Sequence, residues 1–566
     1  MALAFCRMRG ASRFSEFRSS NHYCLSKGCL CFIVTSAYER FPVKNYLRFA
    51  FLLTICGSCL IWTNNAVFAQ QLSSQWNPTP AQAAQLPLQY VEASKGLDIK
   101  MDGGRAEIEF ADVNNDGNVD IVSIGDHGSP YVNTQEHGVM VWYGDGLGQN
   151  GQWRLFQNGN FGYGGVALGD VNNDGKLDVA FGEHHNDSSN NFGNRIEGIA
   201  LGDGTGMNWT PWDQGVATNG ETYGMFGTDL ADVNNDGLLD YGSNSFGCCS
   251  GVHIYLNHGD GTWSQTAGFL GGNSSDDLVF ADFNGDGNVD VATANSRGTV
   301  ALGDGQGHFK LADGNLPPIP RLGRIGLSVG DVNDDGRDDL AFVTPAGGLQ
   351  VWTMVSNGVW QNLSGNLPAS GPFEATQIAD MNQDGHGDLV AFGHGKMAII
   401  AGDGKGNWKL AGYFSTAGTQ GYAAFRAGVD LDHNGFPDIG IIAAEGGGLN
   451  PVNHFHVFVE NSTAHELRIL PKHPHGSATL VPGSVRMIEW TASVPRGVGA
   501  ATVSLEFSAD ANGPWQQIAS GLPNNGRYQW RVPSDLSCAS SCYLRYEIQV
   551  SNQKMMTVKA TAFRAR

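Results

Sequence analysis

Positive charge is scarce in this chain: 34 Lys and Arg stand against 55 Asp and Glu in 566 residues, a formal net charge of −21. No basic stripe is available to neutralise phosphates, which excludes a nucleic-acid partner. The sequence lacks HExxH and a P-loop; its one GxSxG, Gly326-Leu-Ser-Val-Gly330, reads as the strand before an acidic loop rather than a strand-to-helix elbow, and its one GxGxxG, Gly146-Leu-Gly-Gln-Asn-Gly151, is a turn with no helical pattern after it, so the enzyme classes built on those motifs are set aside. Beyond residue 69 there is no apolar run of the roughly 20 residues a membrane-spanning helix needs, and only four of the 10 cysteines remain. Glycine is abundant at 78 residues but follows no G-x-y period, which excludes collagen and points to many tight turns. Hydrophobic residues make up 41%, enough for large cores, so general disorder is excluded.

Residues 1–69 read as an N-terminal extension and signal peptide. Arg40, Lys44 and Arg48 precede an apolar run from Phe49 to Trp62, and Ala66-Val-Phe-Ala69 offers a small-residue cleavage site. Val43 is an alternative start. Cleavage near Ala69 predicts a protein that is secreted, at the cell surface or in the periplasm. Such a compartment is oxidising, and the mature chain keeps two close cysteine pairs, Cys248/Cys249 and Cys538/Cys542. Both are expected as disulfides, two buried thiols being the alternative for the first. The leader carries eight Lys and Arg against two Glu, which leaves the mature chain near −27.

A nine-residue loop repeated seven times accounts for that charge. The copies hold Asp112, Asn114, Asp116, Asn118 and Asp120; Asp170, Asn172, Asp174, Lys176 and Asp178; Asp232, Asn234, Asp236, Leu238 and Asp240; Asp282, Asn284, Asp286, Asn288 and Asp290. They continue with Asp331, Asn333, Asp335, Arg337 and Asp339; Asp380, Asn382, Asp384, His386 and Asp388; and Asp430, Asp432, Asn434, Phe436 and Asp438. Side-chain oxygens fall at positions 1, 3, 5 and 9, and position 7 offers its backbone carbonyl. Position 6 is Gly in all seven, which permits the positive φ of a sharp turn. Hard oxygen ligands on such a loop suit Ca²⁺, with up to seven ions expected; Mg²⁺ favours a smaller octahedral shell. An EF-hand is excluded, since position 12 is Ser123, Phe181 and Ser243 in the first three copies, and the flanks alternate like strands.

A third strand and a GDG turn follow the loops, as in Val141-WYGDGLG and Ile399-IAGDGKG, and an aromatic opens a fourth strand at Trp153, Trp209, Trp263, Phe309 and Trp408. Copy five lacks the GDG. Four short strands per roughly 50 residues predict propeller blades. The last copy lacks a fourth strand, and residues 88–94 offer an unpaired one that would close the ring. These residues resemble the FG-GAP/VCBS repeats, the Ca²⁺-loop propellers related to the integrin α-chain head. The resemblance covers about 370 residues and implies an all-β fold, a seven-bladed β-propeller over 88–460, with Ca²⁺ in the quoted loops. It leaves the ligand open, because the family includes adhesins, lectin-like modules and non-catalytic parts of polysaccharide-degrading enzymes.

Residues 70–87 are expected as a linker, 465–557 as a small β-sandwich and 558–566 as a tail. Strand-like runs such as Val485-RMIEWTA and Val503-SLEFSAD, separated by turn signals, give the sandwich pattern, and Ser508–Pro533 looks like bacterial immunoglobulin/fibronectin-III-like modules. Loops between second and third strands are long in copies one, two, three and seven. They gather His127, Tyr131, Glu136, His137, Glu183, His184, His185, Asn191, Phe192, Arg195, Phe246 and Asn450, a candidate surface for a glycan or an extracellular protein. The function expected is binding or adhesion. The alternatives are an extracellular lyase or glycosidase using His and Glu of that surface, and a structural surface or matrix component. The residues set no oligomeric state.

Overall fold

A computed structural model describes residues 75–566 except 101–106, 126–136, 160–163, 183–187, 190–192, 195–196, 220, 222–224, 246–250, 270–277, 294–299, 318, 320–326, 417–419, 446–452, 539–540, 552, 560–563 and 566. The fold is all-β, with repeated four-stranded antiparallel sheets that fit a β-propeller. One short helix, Pro80–Ala83, precedes them. No helix among the described residues is long and apolar enough to cross a membrane.

Each nine-residue loop joins the first two strands of a sheet. The first sheet runs Ile108–Ala111, Asp120–Gly125, Gly138–Tyr143 and Arg154–Asn158. The next comprises Val166–Gly169, Asp178–Gly182, Glu197–Gly202 and Trp209–Pro211, and the third Met225–Ala231, Asp240–Ser245, Gly251–Asn257 and Trp263–Phe269. The same order repeats through Leu278–Ala281 to Phe309–Leu311, Leu327–Gly330 to Val359–Asn362, and Ala375–Ala379 to Trp408–Ser415. The loop of the last copy joins Gln420–Val429 to Asp438–Ala444, followed by His454–Glu460; the fourth place is taken by Tyr90–Glu92, antiparallel to His454–Glu460. A strand from the start of the repeats thus covers an edge that would otherwise lie open.

Middle strands such as Asp120–Gly125 and Gly138–Tyr143 are buried at every position. Both faces of each sheet meet a neighbour, which is why these strands read as continuous apolar runs. The cores lie between sheets: Val122 and Val141 pack with Val179 and Ala200, and Ile121 and Trp142 pack with Ile442 and Phe455. The second contact joins the first copy to the last. First strands of successive sheets touch in sequence order, and Gln420–Val429 touches Ile108–Ala111. They surround a cavity of about 500 Å³, crossed by the ion pair of Arg426 with Glu109.

Two further antiparallel sheets follow. One orders Arg468–His473, Val485–Ser493 and Arg527–Arg531; the other orders Gln516–Pro523, Thr502–Ser508, Tyr543–Val550 and Gln553–Lys559. Ile488, Trp490, Leu505, Tyr546 and Ile548 share one core between them. Cys538 and Cys542 form a disulfide with Cα atoms 5.6 Å apart. Cys248, Cys249 and the expected leader lie outside the described residues.

Candidate functional site

The nine-residue loops are built on backbone N–H groups. Position 1 accepts from positions 5 and 6: Asp112 Oδ1 and Oδ2 take the N–H groups of Asp116 (3.0 Å) and Gly117 (2.9 Å). The same pair of bonds recurs at Asp170, Asp232, Asp282, Asp331 and Asp380. Two residues per loop take positive φ. Position 6 is Gly as expected, for instance Gly237 at 88°. Position 4 adopts the left-handed region as well, at Asn115, Asn173, Asn235, Asp334, Gln383 and His433, with Gly285 in the fourth copy. Four different non-glycine residue types stand there, so no simple pattern marked it.

Position 9 closes the loop. Its Oδ2 accepts the N–H of position 2 in all seven copies, at Val113, Val171, Val233, Phe283, Val332, Met381 and Leu431. Its Oδ1 accepts from the end of the third strand, as Asp120 does from Gly144 (2.9 Å) and Asp178 from Gly202 (2.9 Å). The fifth copy, which lacks the GDG turn, lacks this bond, and Asp339 Oδ1 has no hydrogen-bond partner. The ninth Asp is therefore a clasp between three strands. Except at Asp388, whose Oδ2 also accepts the Asn382 N–H (3.1 Å), each of its oxygens keeps a second lone pair for a cation.

Burial sets the charge state of these groups. It raises Asp120 and Asp290 to about 8 and Asp178 to about 7. It raises Asp282, Asp331 and Asp432 to about 6. Asp240, Asp339, Asp388, Asp430 and Asp438 are pushed well above the carboxylate range, burial again being the main cause. Buried carboxylates held this close need a proton or a cation.

The seventh loop departs from the others. Asn434 turns its amide to Glu460 O (2.7 Å), and Asp430 Oδ1 is buried without a hydrogen-bond partner. The carboxylate oxygens of Asp430, Asp432 and Asp438 lie within 4.8 Å of one another, the one such group found among the described residues. An all-oxygen donor set with an orphaned buried carboxylate oxygen suits a hard divalent cation. At position 7, the Lys176 and Arg337 side chains pair with Asp174 and Asp335, and His386 pairs with Asp334, which leaves their carbonyls as the atoms a cation could use.

Of the candidate ligand surface, His137 is described: its Nδ1 lies 2.6 Å from Gly159 O and its N–H bonds Gln157 Oε1 at 3.0 Å. For His127, Tyr131, Glu136, Glu183, His184, His185, Asn191, Phe192, Arg195, Phe246 and Asn450, the proposed site falls outside the described residues.

Between the second and third sheets, at the end of the strands away from the loops, lies a buried cluster that the sequence did not mark. Ser243 Oγ donates to Glu197 Oε1 (3.0 Å), and Glu197 Oε2 is buried without a hydrogen-bond partner. Glu221 accepts from the Tyr255 hydroxyl and lies 3.3 Å from His253 Nδ1. Burial raises Glu197 to about 8, with Glu221 adding to it. Burial opposes ionisation of Glu221 too, but hydrogen bonds from His253 and Tyr255 hold it at about 2.

Residues 112–181, 232–293, 282–342, 331–391 and 380–441 match the FG-GAP-like repeat. No curated protein matches the chain. Distant likenesses exist among solved structures. A lectin of Agrocybe aegerita, described as recognising non-reducing terminal N-acetylglucosamine, is 20% identical over 55% of this chain and 80% of its own, with a TM-score of 0.38. A NanB sialidase of Streptococcus pneumoniae is 11% identical over 68% of this chain and 72% of its own, at 0.33. A β-fructofuranosidase of Schwanniomyces occidentalis complexed with fructosyl-erythritol is 10% identical over 84% of this chain and 91% of its own, at 0.28.

Proposed function

We propose, on the premise that the chain carries FG-GAP-like repeats, that it is a secreted, Ca²⁺-stabilised seven-bladed propeller with an immunoglobulin/fibronectin-III-like C-terminal domain, and that it binds a glycan or an extracellular protein. Seven four-stranded sheets with cores between successive members support the blade count. Two sheets on one core support the sandwich. The converging, buried carboxylates of Asp430, Asp432 and Asp438 support the ion.

One observation carries the location of the binding surface. The C-terminal sheets already contact the side of the propeller that bears the acidic loops: Val485 N–H donates to Asp232 Oδ2 (2.8 Å), and Asn525 Nδ2 to Asp112 Oδ2 (3.4 Å). An external ligand is left the opposite end, where the long loops between second and third strands connect. A glycan array on the full chain, with and without chelator, tests this. Binding that survives Glu183→Ala together with His184→Ala and Tyr131→Ala would remove the surface. Release of product from a labelled polysaccharide, abolished by Glu183→Ala, would favour the enzyme reading instead.

A further inference from the structure

Besides the bonds to loop side chains at Asp232, Asp112 and Asn235, the C-terminal sheets bond the backbone of the loops. Gln529 accepts from the Asp170 N–H (3.1 Å) and donates to Asp170 O (2.8 Å). Arg531 Nη2 donates to Asp236 O (3.0 Å) and Thr479 Oγ1 to Gly285 O (2.8 Å). These atoms belong to positions 1, 4 and 5 of three loops. Such bonds weaken steeply with distance and angle, so they form only if each loop holds one shape.

The charges are complementary. Residues 70–464 hold 47 Asp and Glu against 15 Lys and Arg, whereas residues 465–566 hold 11 Lys and Arg against six Asp and Glu. Arg486 sits between the third and fourth loops, with Nη2 donating to Asn235 Oδ1 (3.2 Å) and to Gly287 O. Asp232 and Asp282 offset the cost of burying its guanidinium. Lys472 donates to Gly428 O (3.0 Å) beside the last two loops, and Asp380 and Asp430 do the same for it.

We infer that the C-terminal domain reads the ion occupancy of the loops: it seats on loops that a divalent cation holds in shape and leaves when the cations are withdrawn. The inference rests on the calcium reading above. An ion-free loop sets three carboxylates against one another, and its backbone relaxes away from the geometry the domain requires. A loaded loop retains about one negative charge, which the cations of the domain face. Linkage is reciprocal: if ions favour docking, docking tightens ion binding by the same factor. The rival sign is competition, in which Arg486 and Lys472 substitute for Ca²⁺.

The test uses the full chain. Small-angle scattering is compared in millimolar Ca²⁺ and after chelation, with elemental analysis of both samples. Separation of the domain on chelation is expected; a metal-free sample that stays docked overturns the inference. A second measurement avoids global unfolding. Ser477 and Ser493 face the fifth and seventh loops, where a Cβ on Gly336 or Gly435 would meet them. Ser477→Trp with Ser493→Trp adds bulk there without charge and is expected to undock the domain in saturating Ca²⁺. Calcium titration of that undocked variant should show affinity weaker by about fivefold or more. Equal or tighter binding overturns the inference and supports competition. A wild-type chain without bound calcium would instead bring down the calcium reading itself.

Discussion

The nine-residue loops and the Glu197 cluster bury carboxyl groups at opposite ends of the same sheets, and they solve that problem differently. In the loops every position-9 Asp receives an N–H group, as Asp120 does from Val113 and Gly144. Glu197 receives one hydroxyl and has an oxygen without a partner. The loops repeat, are open to a cation and carry three carboxylates each. The cluster is single, enclosed and shares its charge with Glu221, His253 and Tyr255. Burial favours the protonated acid in both places, raising Asp120 and Glu197 alike to about 8; the ordered donors of the loops offset it only in part, so a charge is kept there only with a cation.

Removal of calcium gives the largest expected effect and breaks the comparison if it fails. Ca²⁺ bound only to the folded chain stabilises it by mass action. Two sites at a hundredfold excess over Kd already contribute about 5 kcal/mol. Thermal melts in chelator and in millimolar Ca²⁺ should differ by many degrees, and coincident melts of a demonstrably metal-free sample would end the ionic account of the loops.

The next effect separates clasp from ligand. Asp240→Ala removes acceptors for Val233 N–H and Asn257 N–H and should cost about 3 kcal/mol, as two buried donors are orphaned. That loss should persist in chelator. Asp236→Asn keeps an acceptor for the Leu238 N–H and should cost stability mainly when calcium is present. Chemical denaturation of both variants, with and without calcium, tests the division.

Which parts of this were legible follows from distance along the chain. Loop acids and glycines lie within nine residues, so their spacing carries the turn and its positive φ at Gly117 or Gly237. The pairing of residues 90–92 with 454–460 was legible because the last copy lacked a strand and the N-terminus had one spare. The clasp was not, since the Gly144 donor to Asp120 lies 24 residues on and only the folded sheet brings it back. Contact of the C-terminal sheets with the loops was hidden for the same reason: Asp232 and Val485 are 253 residues apart. Glu197, Glu221 and His253 converge from three segments. The one local sign was a charged residue opening the apolar strand Glu197–Gly202, all of it buried or nearly so.

The cluster makes a pH-dependent prediction. Glu197 has its folded value raised from 4.5 to about 8. Its contribution to stability is therefore full below pH 4.5 and is lost as pH rises toward 8. Glu221 runs the other way: its value falls from 4.5 to about 2, so its contribution is present above pH 4.5 and lost as pH falls toward 2. Glu197→Gln should match wild type in stability near pH 5 and exceed it at pH 8, by roughly 3–4 kcal/mol. A constant offset across that range would mean the carboxyl does not change its protonation there.

The smallest effect sharpens the contrast between covered and open loops. Gly175 and Gly237 occupy the same position with φ of 83° and 88°. A Cβ on Gly175 would meet nothing within 4 Å, whereas one on Gly237 would overlap the Arg531 guanidinium of the C-terminal sheets. Both substitutions to Ala incur the left-handed penalty, about 1 kcal/mol. Only Gly237→Ala adds a clash, so its excess loss measures what the domain contributes at the third loop. Measured by denaturation in saturating calcium, Gly175→Ala should cost about 1 kcal/mol and Gly237→Ala more. Arg531→Ala in the Gly237→Ala background should relieve the clash and bring the penalty of Gly237→Ala, taken relative to Arg531→Ala alone, down to that of Gly175→Ala. Equal losses for the two single variants would mean that the C-terminal sheets do not press on the third loop in solution.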